Sequence, residues 1–296
     1  EHFTMKKVIS LVLALLMLCG LTTALADSDS SRAVIGADLS DSEIQEVYSI
    51  FGIARGEVRE LTVTNADERE YLEGLVSDSL IGTRSISCIF IRVLEEGKGM
   101  DVSVKNISWC TPDMYMNAMV TAGISDAEVI VAAPFSVSGT AALTGIFKAY
   151  EDITGEKLDD TAKAVGTQEL TTTAELADEI GSADSAAIVN ELKLIIDEIA
   201  KMSDEELRQQ IKDIADKYRV ELTDSQIEKL IDLCRALEKL DADQLREKVE
   251  KVQQYLKTAV EDGTKAVSFL RSFANGVSDL LESVVAFFQK ILGFFD

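Results

Sequence analysis

The clearest cluster of ligand-binding groups in this sequence lies between residues 136 and 140. Ser136, Ser138, Gly139 and Thr140 follow an apolar run and precede a helical pattern that starts near Ala141. Main-chain N–H groups and hydroxyls that converge at a helix N-terminus attract anions. The segment lacks the Gly-Lys-Ser/Thr of a P-loop and the spaced glycines of a dinucleotide site. These residues therefore indicate either a weak anion-binding loop or ordinary helix capping.

Catalysis that depends on histidine has little support here. The only histidine is His2, which lies in a segment expected to be removed, so Ser-His-Asp triads, Cys-His pairs and His-ligated zinc are excluded. Lys148 would lie roughly 12 Å along a helix from Thr140, too far to act as a base for Ser138. Neither Ser-x-x-Lys nor Gly-x-Ser-x-Gly occurs after the predicted signal. We expect no metal and no cofactor, and an enzyme is the less favoured class.

Acidic residues dominate the charge of the chain. There are 52 Asp and Glu against 29 Lys and Arg, and the formal net charge is −23. Such a surface repels phosphate backbones, so nucleic acid is excluded as a partner. Any cleft would contain two carboxylates, which is the pair that glycoside hydrolysis uses. A histidine-free hydrolase of wall polymer therefore remains an alternative.

Two cysteines flank a glycine-rich segment that is typical of a hairpin turn. Cys88 and Cys110 are nearly equidistant from residues 96–99. If the flanking strands pair, the two thiols either form a disulfide across the hairpin or remain half-buried. Cys234 lies on an apolar helix face and is expected in the core.

The N-terminus has the three zones of a secretory signal peptide. Met5 is followed by Lys6 and Lys7, an apolar run from 8 to 18, and a small-residue sequence that ends at Ala26. Residues 1–26 are predicted to be this signal, with 1–4 extraneous to it. The protein is accordingly expected to be secreted, and extracellular or associated with the cell wall after cleavage near Ala26.

The elements that would position these residues predict an α+β fold. Ser40-x-x-Glu43 is a capping box that opens an amphipathic helix ahead of the sheet. Residues 27–139 then give alternating elements of the order β-α-β-β-α-β, which is ferredoxin-like: a four-stranded antiparallel sheet with helices on one face. The strands are predicted at 58–64, 84–94, 100–109 and 127–133, with helices that begin at Asn65 and Thr111.

Residues 140–263 read as an all-α helical bundle. Capping boxes at Ser203-x-x-Glu206 and Thr223-x-x-Gln226 each open a helix with apolar residues at three-four spacing. Residues 264–296 form a separate amphipathic helix that is too polar to span a membrane. This helix closes the bundle core, docks on a partner or lies in a membrane interface.

The segment from Asp113 to Glu151 carries a resemblance to a known family. Its sequence, DMYMNAMVTAGISDAEVIVAAPFSVSGTAALTGIFKAYE, resembles the central segment of the YpuA-like family, also called domain of unknown function 1002. The resemblance implies an exported protein of Firmicutes with a signal peptide at the same place. It implies no activity, because the family has none assigned.

Together these features favour a secreted cell-envelope protein that binds or interacts without catalysis. An envelope protein or a wall-associated ligand is the expected partner. The alternatives are the wall-polymer hydrolase and a membrane-interface protein held by residues 264–296.

Overall fold

The computed structural model describes residues 29–74 and 78–261. The predicted signal peptide (1–26) and the predicted C-terminal helix (264–296) lie outside the described residues. Within the described part, one sheet contains β1 (Ser31–Gly36), β2 (Arg59–Val63), β3 (Cys88–Val93), β4 (Met100–Ile107) and β5 (Ala127–Val137). The α+β class predicted from the sequence is confirmed.

The sheet is mixed and has the strand order β2-β1-β3-β5-β4. β1 pairs in parallel with β2, and β4 pairs in parallel with β5. β3 lies between these two parallel pairs and runs antiparallel to both β1 and β5. β1 is buried along its whole length, as expected for a strand that is covered on both faces.

The ferredoxin-like topology is not confirmed. The order β-α-β-β-α-β does occur from β2 to β5, but β1 adds a strand inside the sheet, between β2 and β3. β3 and β4 do not form the predicted hairpin, because β5 lies between them. Turn residues alone suggested that hairpin, whereas the apolar β5 pairs with both strands.

The disulfide alternative depended on that hairpin. Cys88 and Cys110 are free thiols and both are buried. Cys88 stands opposite Ala132 of β5, and Cys110 follows β4 on the other side of β5. The two cysteines are therefore not placed across from each other on neighbouring strands.

Helices follow and cover the strands. The helices are α1 (Asp41–Phe51), α2 (Asn65–Leu72), α3 (Asp78–Ile81), α4 (Pro112–Ala122), α5 (Thr140–Thr154), α6 (Asp160–Ile180), α7 (Ser182–Leu194), α8 (Ile196–Ile199), α9 (Asp204–Lys217), α10 (Asp224–Leu237) and α11 (Ala242–Glu261). No strand follows β5 in the described residues. Among those residues, no helix is both long enough and apolar enough to cross a bilayer.

The sheet carries helices on both faces, not on one as predicted. α1 packs on the face that presents Ile35 and Phe90. The opposite face presents Val34 and Ile89 to α5, whose Gly145 lies against both residues, and α4 packs in the same core.

The apolar core on this second face continues into the helices that follow. It runs through Leu170 of α6 and Ile188 of α7 to Leu230 of α10 and Leu245 of α11. The sheet and the helices therefore share buried side chains. The domain boundary between residues 139 and 140 stays a prediction.

Candidate functional site: a buried polar centre below a cleft

The loop predicted to bind anions is a tight connection between β5 and α5. Gly139 is the N-cap of α5 with φ of 97°, and no side chain caps this helix. The Tyr115 hydroxyl donates to the Gly139 carbonyl oxygen at 2.5 Å. The Ser138 and Thr140 hydroxyls lie 3.4 Å apart, Thr140 is buried, and Ser136 is exposed. The structure thus brings the four residues together, and anion binding by them stays a prediction.

The thiols are not arranged for nucleophilic chemistry. Burial raises the pKa values of Cys88, Cys110 and Cys234 to about 12. A thiolate is the reactive form of cysteine. These three residues are therefore inert side chains of the core at neutral pH.

A buried ion pair lies where α4, α6 and α7 meet. Lys193 of α7 donates from Nζ to Oε1 of Glu169 of α6 at 2.9 Å, and both side chains are 0% exposed. The Thr121 hydroxyl of α4 donates to the other carboxylate oxygen. Lys193 Nζ also donates to the main-chain oxygen of Asn117 at 3.1 Å. Burying two charges is expensive, and several hydrogen bonds offset the cost here.

Two asparagines complete this polar centre. Asn190 donates from Nδ2 to Asn117 Oδ1 at 3.1 Å. Asn117 Nδ2 is buried and has no hydrogen-bond partner among the described residues. An unpaired buried donor is rare and costs free energy. We call Asn117, Thr121, Glu169, Asn190 and Lys193 the buried polar cluster.

Close packing of α4 and α6 produces this arrangement. Gly166 of α6 lies against the α4 backbone, so that a Cβ there would be 2.7 Å from the main-chain oxygen of Ala118. One turn further along each helix, Glu169 reaches Thr121. The missing side chain at position 166 thus permits the contact on which the cluster depends.

A polar cleft of about 580 Å³ opens above the cluster. It lies between the C-terminal end of α4, the connection from α5 to α6 and the start of α11. Its charged lining residues are Glu156, Lys157, Asp159, Lys239, Asp241 and Lys248. Thr121 also lines the cleft, with its side chain bonded to Glu169 behind it.

Lys248 lines the cleft and forms a hydrogen bond with the protein backbone. Its Nζ donates to the main-chain oxygen of Gly123 at 2.7 Å, at the end of α4. Burial lowers the pKa of Lys248, and nearby Lys251 lowers it further. Lys157 and Lys239 are exposed, as are Glu156, Asp159 and Asp241. Charges of both signs are therefore open to solvent at this cleft.

No group of acidic, cysteine or histidine side chains in the described residues could hold a metal ion. The polar features are instead ion pairs and hydrogen bonds between helices. Sequence patterns did not reveal Glu169 and Lys193 as a pair, since they lie 24 residues apart on different helices. The one available signal was a lysine between Leu192 and Leu194 in an otherwise apolar stretch.

The fold and this site define an α+β protein whose sheet and helices share one core around a buried ion pair. The chain belongs to the family described as "Protein of unknown function (DUF1002)", whose model matches residues 35–255. The resemblance to the YpuA-like family is thereby confirmed.

A curated relative supports the same assignment. The chain is 36% identical over 287 residues to "Uncharacterized protein YpuA" of Bacillus subtilis (strain 168), across 94% of this chain and 97% of that protein. No solved structure matches the chain significantly.

Proposed function

We propose that this protein is secreted and works at the bacterial cell envelope by binding a wall-associated ligand or an envelope protein. The observation that carries the proposal is the charged cleft. Exposed cations Lys157 and Lys239 share it with exposed carboxylates of Glu156, Asp159 and Asp241. A ligand with both amine and carboxylate groups, such as a wall peptide, matches this lining.

The described residues offer less to catalysis. The general acid of a glycosidase needs an apolar, buried setting, whereas Glu156, Asp159 and Asp241 are exposed. Glu169 and Lys193 are sealed from solvent, so a substrate in the cleft would not reach them. Binding therefore agrees better with the geometry than hydrolysis of wall polymer does.

Secretion rests on the predicted signal peptide at residues 1–26. A role of the C-terminal segment, 264–296, in holding the protein at a membrane is the remaining alternative. Neither segment belongs to the described residues, so the test is directed at the cleft.

A charge reversal tests the cleft directly. We expect Lys239→Glu to weaken sedimentation of the folded protein with purified bacterial wall material by about fivefold, the scale of an exposed charge contact. Lys201→Glu is the matched control, because Lys201 is exposed and lies outside the cleft.

Equal loss of binding in both variants would show that net charge alone governs association. Unchanged binding in both would remove the cleft from the proposal. Wild-type protein that stays in the supernatant when wall material is present would contradict the wall ligand altogether.

A further inference from the structure

We propose that Lys193 and Asn117 become joined by an intramolecular amide bond, with loss of ammonia and with Glu169 as the proton carrier. The bond would form between Lys193 Nζ and the Cγ atom of Asn117. It would connect α7 to α4 inside the folded protein. This modification is independent of the proposed binding function.

The buried polar cluster supplies the three groups that such a reaction needs. The amine of Lys193 lies 2.9 Å from the carboxylate of Glu169 and 3.1 Å from the main-chain oxygen of Asn117. The amine contacts the carboxylate directly, and the carboxamide belongs to the residue whose main-chain oxygen the amine also contacts. The three groups thus come from three helices into one buried cluster. Because the folded protein already holds these groups together, the reaction avoids the entropy cost of bringing the reactants together.

The amine can become a nucleophile within the cluster. In a low-dielectric interior, a proton that moves along the Lys193–Glu169 hydrogen bond converts two buried charges into a neutral amine and a neutral carboxylic acid. A desolvated, neutral lysine amine is nucleophilic. The side chain of Lys193 is 0% exposed, so water does not compete for its contacts within the cluster.

The carboxamide of Asn117 is prepared to accept the attack. Asn190 donates to its oxygen at 3.1 Å, and this donor would stabilise the negative charge that develops there. The nitrogen that must leave, Nδ2, is buried and has no partner among the described residues. The reaction requires the Lys193 side chain to move from the main-chain oxygen of Asn117 to Cγ of the same residue.

The step balances without any further reactant. Nζ forms a bond to Cγ, and the bond from Cγ to Nδ2 breaks. Starting from the ion pair, Nζ gives up two protons: one stays on the Glu169 carboxylate, and the other passes to Nδ2, which leaves as ammonia. The products are a neutral amide, one molecule of ammonia and a protonated Glu169, so the total charge is unchanged.

Peptide mapping of the folded wild-type chain after incubation at neutral pH tests the proposal. Trypsin cuts after free lysines, and the unmodified chain yields peptides 106–148, 164–193 and 194–201. We expect instead one branched species that joins 106–148 to 164–201, uncut after Lys193. The mass of this species is lower than the summed masses of the two peptides by one ammonia, about 17 Da.

The same peptide map can also contradict the proposed amide bond. Complete cleavage after Lys193, with peptide 106–148 at its full mass, would overturn the proposal. So would an ammonia loss confined to peptide 106–148 with normal cleavage after Lys193, because that pattern reports ring closure of an asparagine alone. An ammonia loss within peptide 164–201, uncut after Lys193 and not joined to 106–148, would place the bond at Asn190 and equally overturn the assignment of Asn117.

Two variants separate the roles of the residues. Asn117→Ala removes the carboxamide and keeps the Lys193–Glu169 pair, so we expect a folded protein without the branched species. Glu169→Gln removes the proton carrier, and we expect the branched species to be absent or strongly reduced. Circular dichroism on each variant confirms folding, and the wild-type map alone decides the case if Glu169→Gln does not fold.

Discussion

Glu68 lies on α2 with only 1% of its surface exposed. Burial raises its pKa from 4.5 to about 7, and nearby Asp38 adds to the rise. The Ser85 hydroxyl and Arg69 oppose this shift without cancelling it. The folded protein therefore binds a proton at this carboxyl more tightly than the unfolded chain does.

This shift predicts a pH-dependent effect of Glu68→Gln. Because the folded pKa is the higher one, the native state loses stability as pH rises from about 4.5 through 7. A neutral glutamine avoids that loss. We expect the free energy of unfolding of the variant, relative to wild type, to improve by about 2–3 kcal/mol between pH 4.5 and pH 8. Urea denaturation at the two pH values measures it.

Glu70→Gln is the control, since Glu70 is exposed on the same helix. A gain that is equal for both variants would mean that general charge repulsion, and not the burial of Glu68, causes the effect.

Buried charges of this kind were the residues that the sequence did not predict. Glu68, Glu169 and Lys193 look like solvated positions in a highly charged chain. Packing of α4, α6 and α7 buries Glu169 and Lys193, whereas Glu68 on α2 is buried beside Ser85. Both arrangements bring together residues that lie far apart in the sequence. The helix predicted to begin near Ala141 does begin in this loop, at Thr140, although no side chain caps it.

Between elements, the contact of α4 with α6 is the closest helix packing at the candidate site. We expect Gly166→Ala to destabilise the protein by about 1–2 kcal/mol. A Cβ at 2.7 Å from the Ala118 main-chain oxygen forces the helices apart, and this overpacking exceeds the gain in helix propensity. Thermal and urea unfolding measure the change.

Gly145→Ala is the matched control on α5. There the nearest atoms to a Cβ are side-chain carbons of Ile89 and Val34 at 3.4 and 3.5 Å, which is ordinary contact. We expect this variant to be neutral or stabilised by up to about 1 kcal/mol. Equal destabilisation of both variants would contradict the close approach of α4 and α6.

The predicted helix starts agree with the structure where capping residues determine them. The capping boxes at Ser40, Ser203 and Thr223 are present in the structure. The helix predicted from Asn65 has its cap one residue earlier, at Thr64.

The strands were harder to predict than the helix starts. β1 was missed because it is buried along its whole length, so it lacks the alternation that indicates a strand. The hairpin prediction was wrong because strand pairing across the sheet depends on residues far along the chain.

At the level of the whole molecule, the shared core predicts one cooperative unfolding transition. Trp109, the single tryptophan of the chain, packs against Leu72 and Ile81 near the sheet and donates to Asp178 of α6 at 3.0 Å. We expect its fluorescence and the far-ultraviolet circular dichroism of the helices to change at the same urea concentration. Two separate midpoints would support independent domains on either side of residue 139.

The central position of β3 has a consequence for the order in which the chain can fold. β3 needs β5 as a neighbour, and Cys88 pairs with Ala132, more than forty residues later. Until β5 is available, β3 has an open edge, and the face that packs against α5 is uncovered because α5 follows β5. Such non-local pairing slows folding and leaves intermediates prone to aggregate. A nascent chain that stops before β5 would therefore be a substrate for chaperones and proteases, whereas completion of β5 closes the sheet.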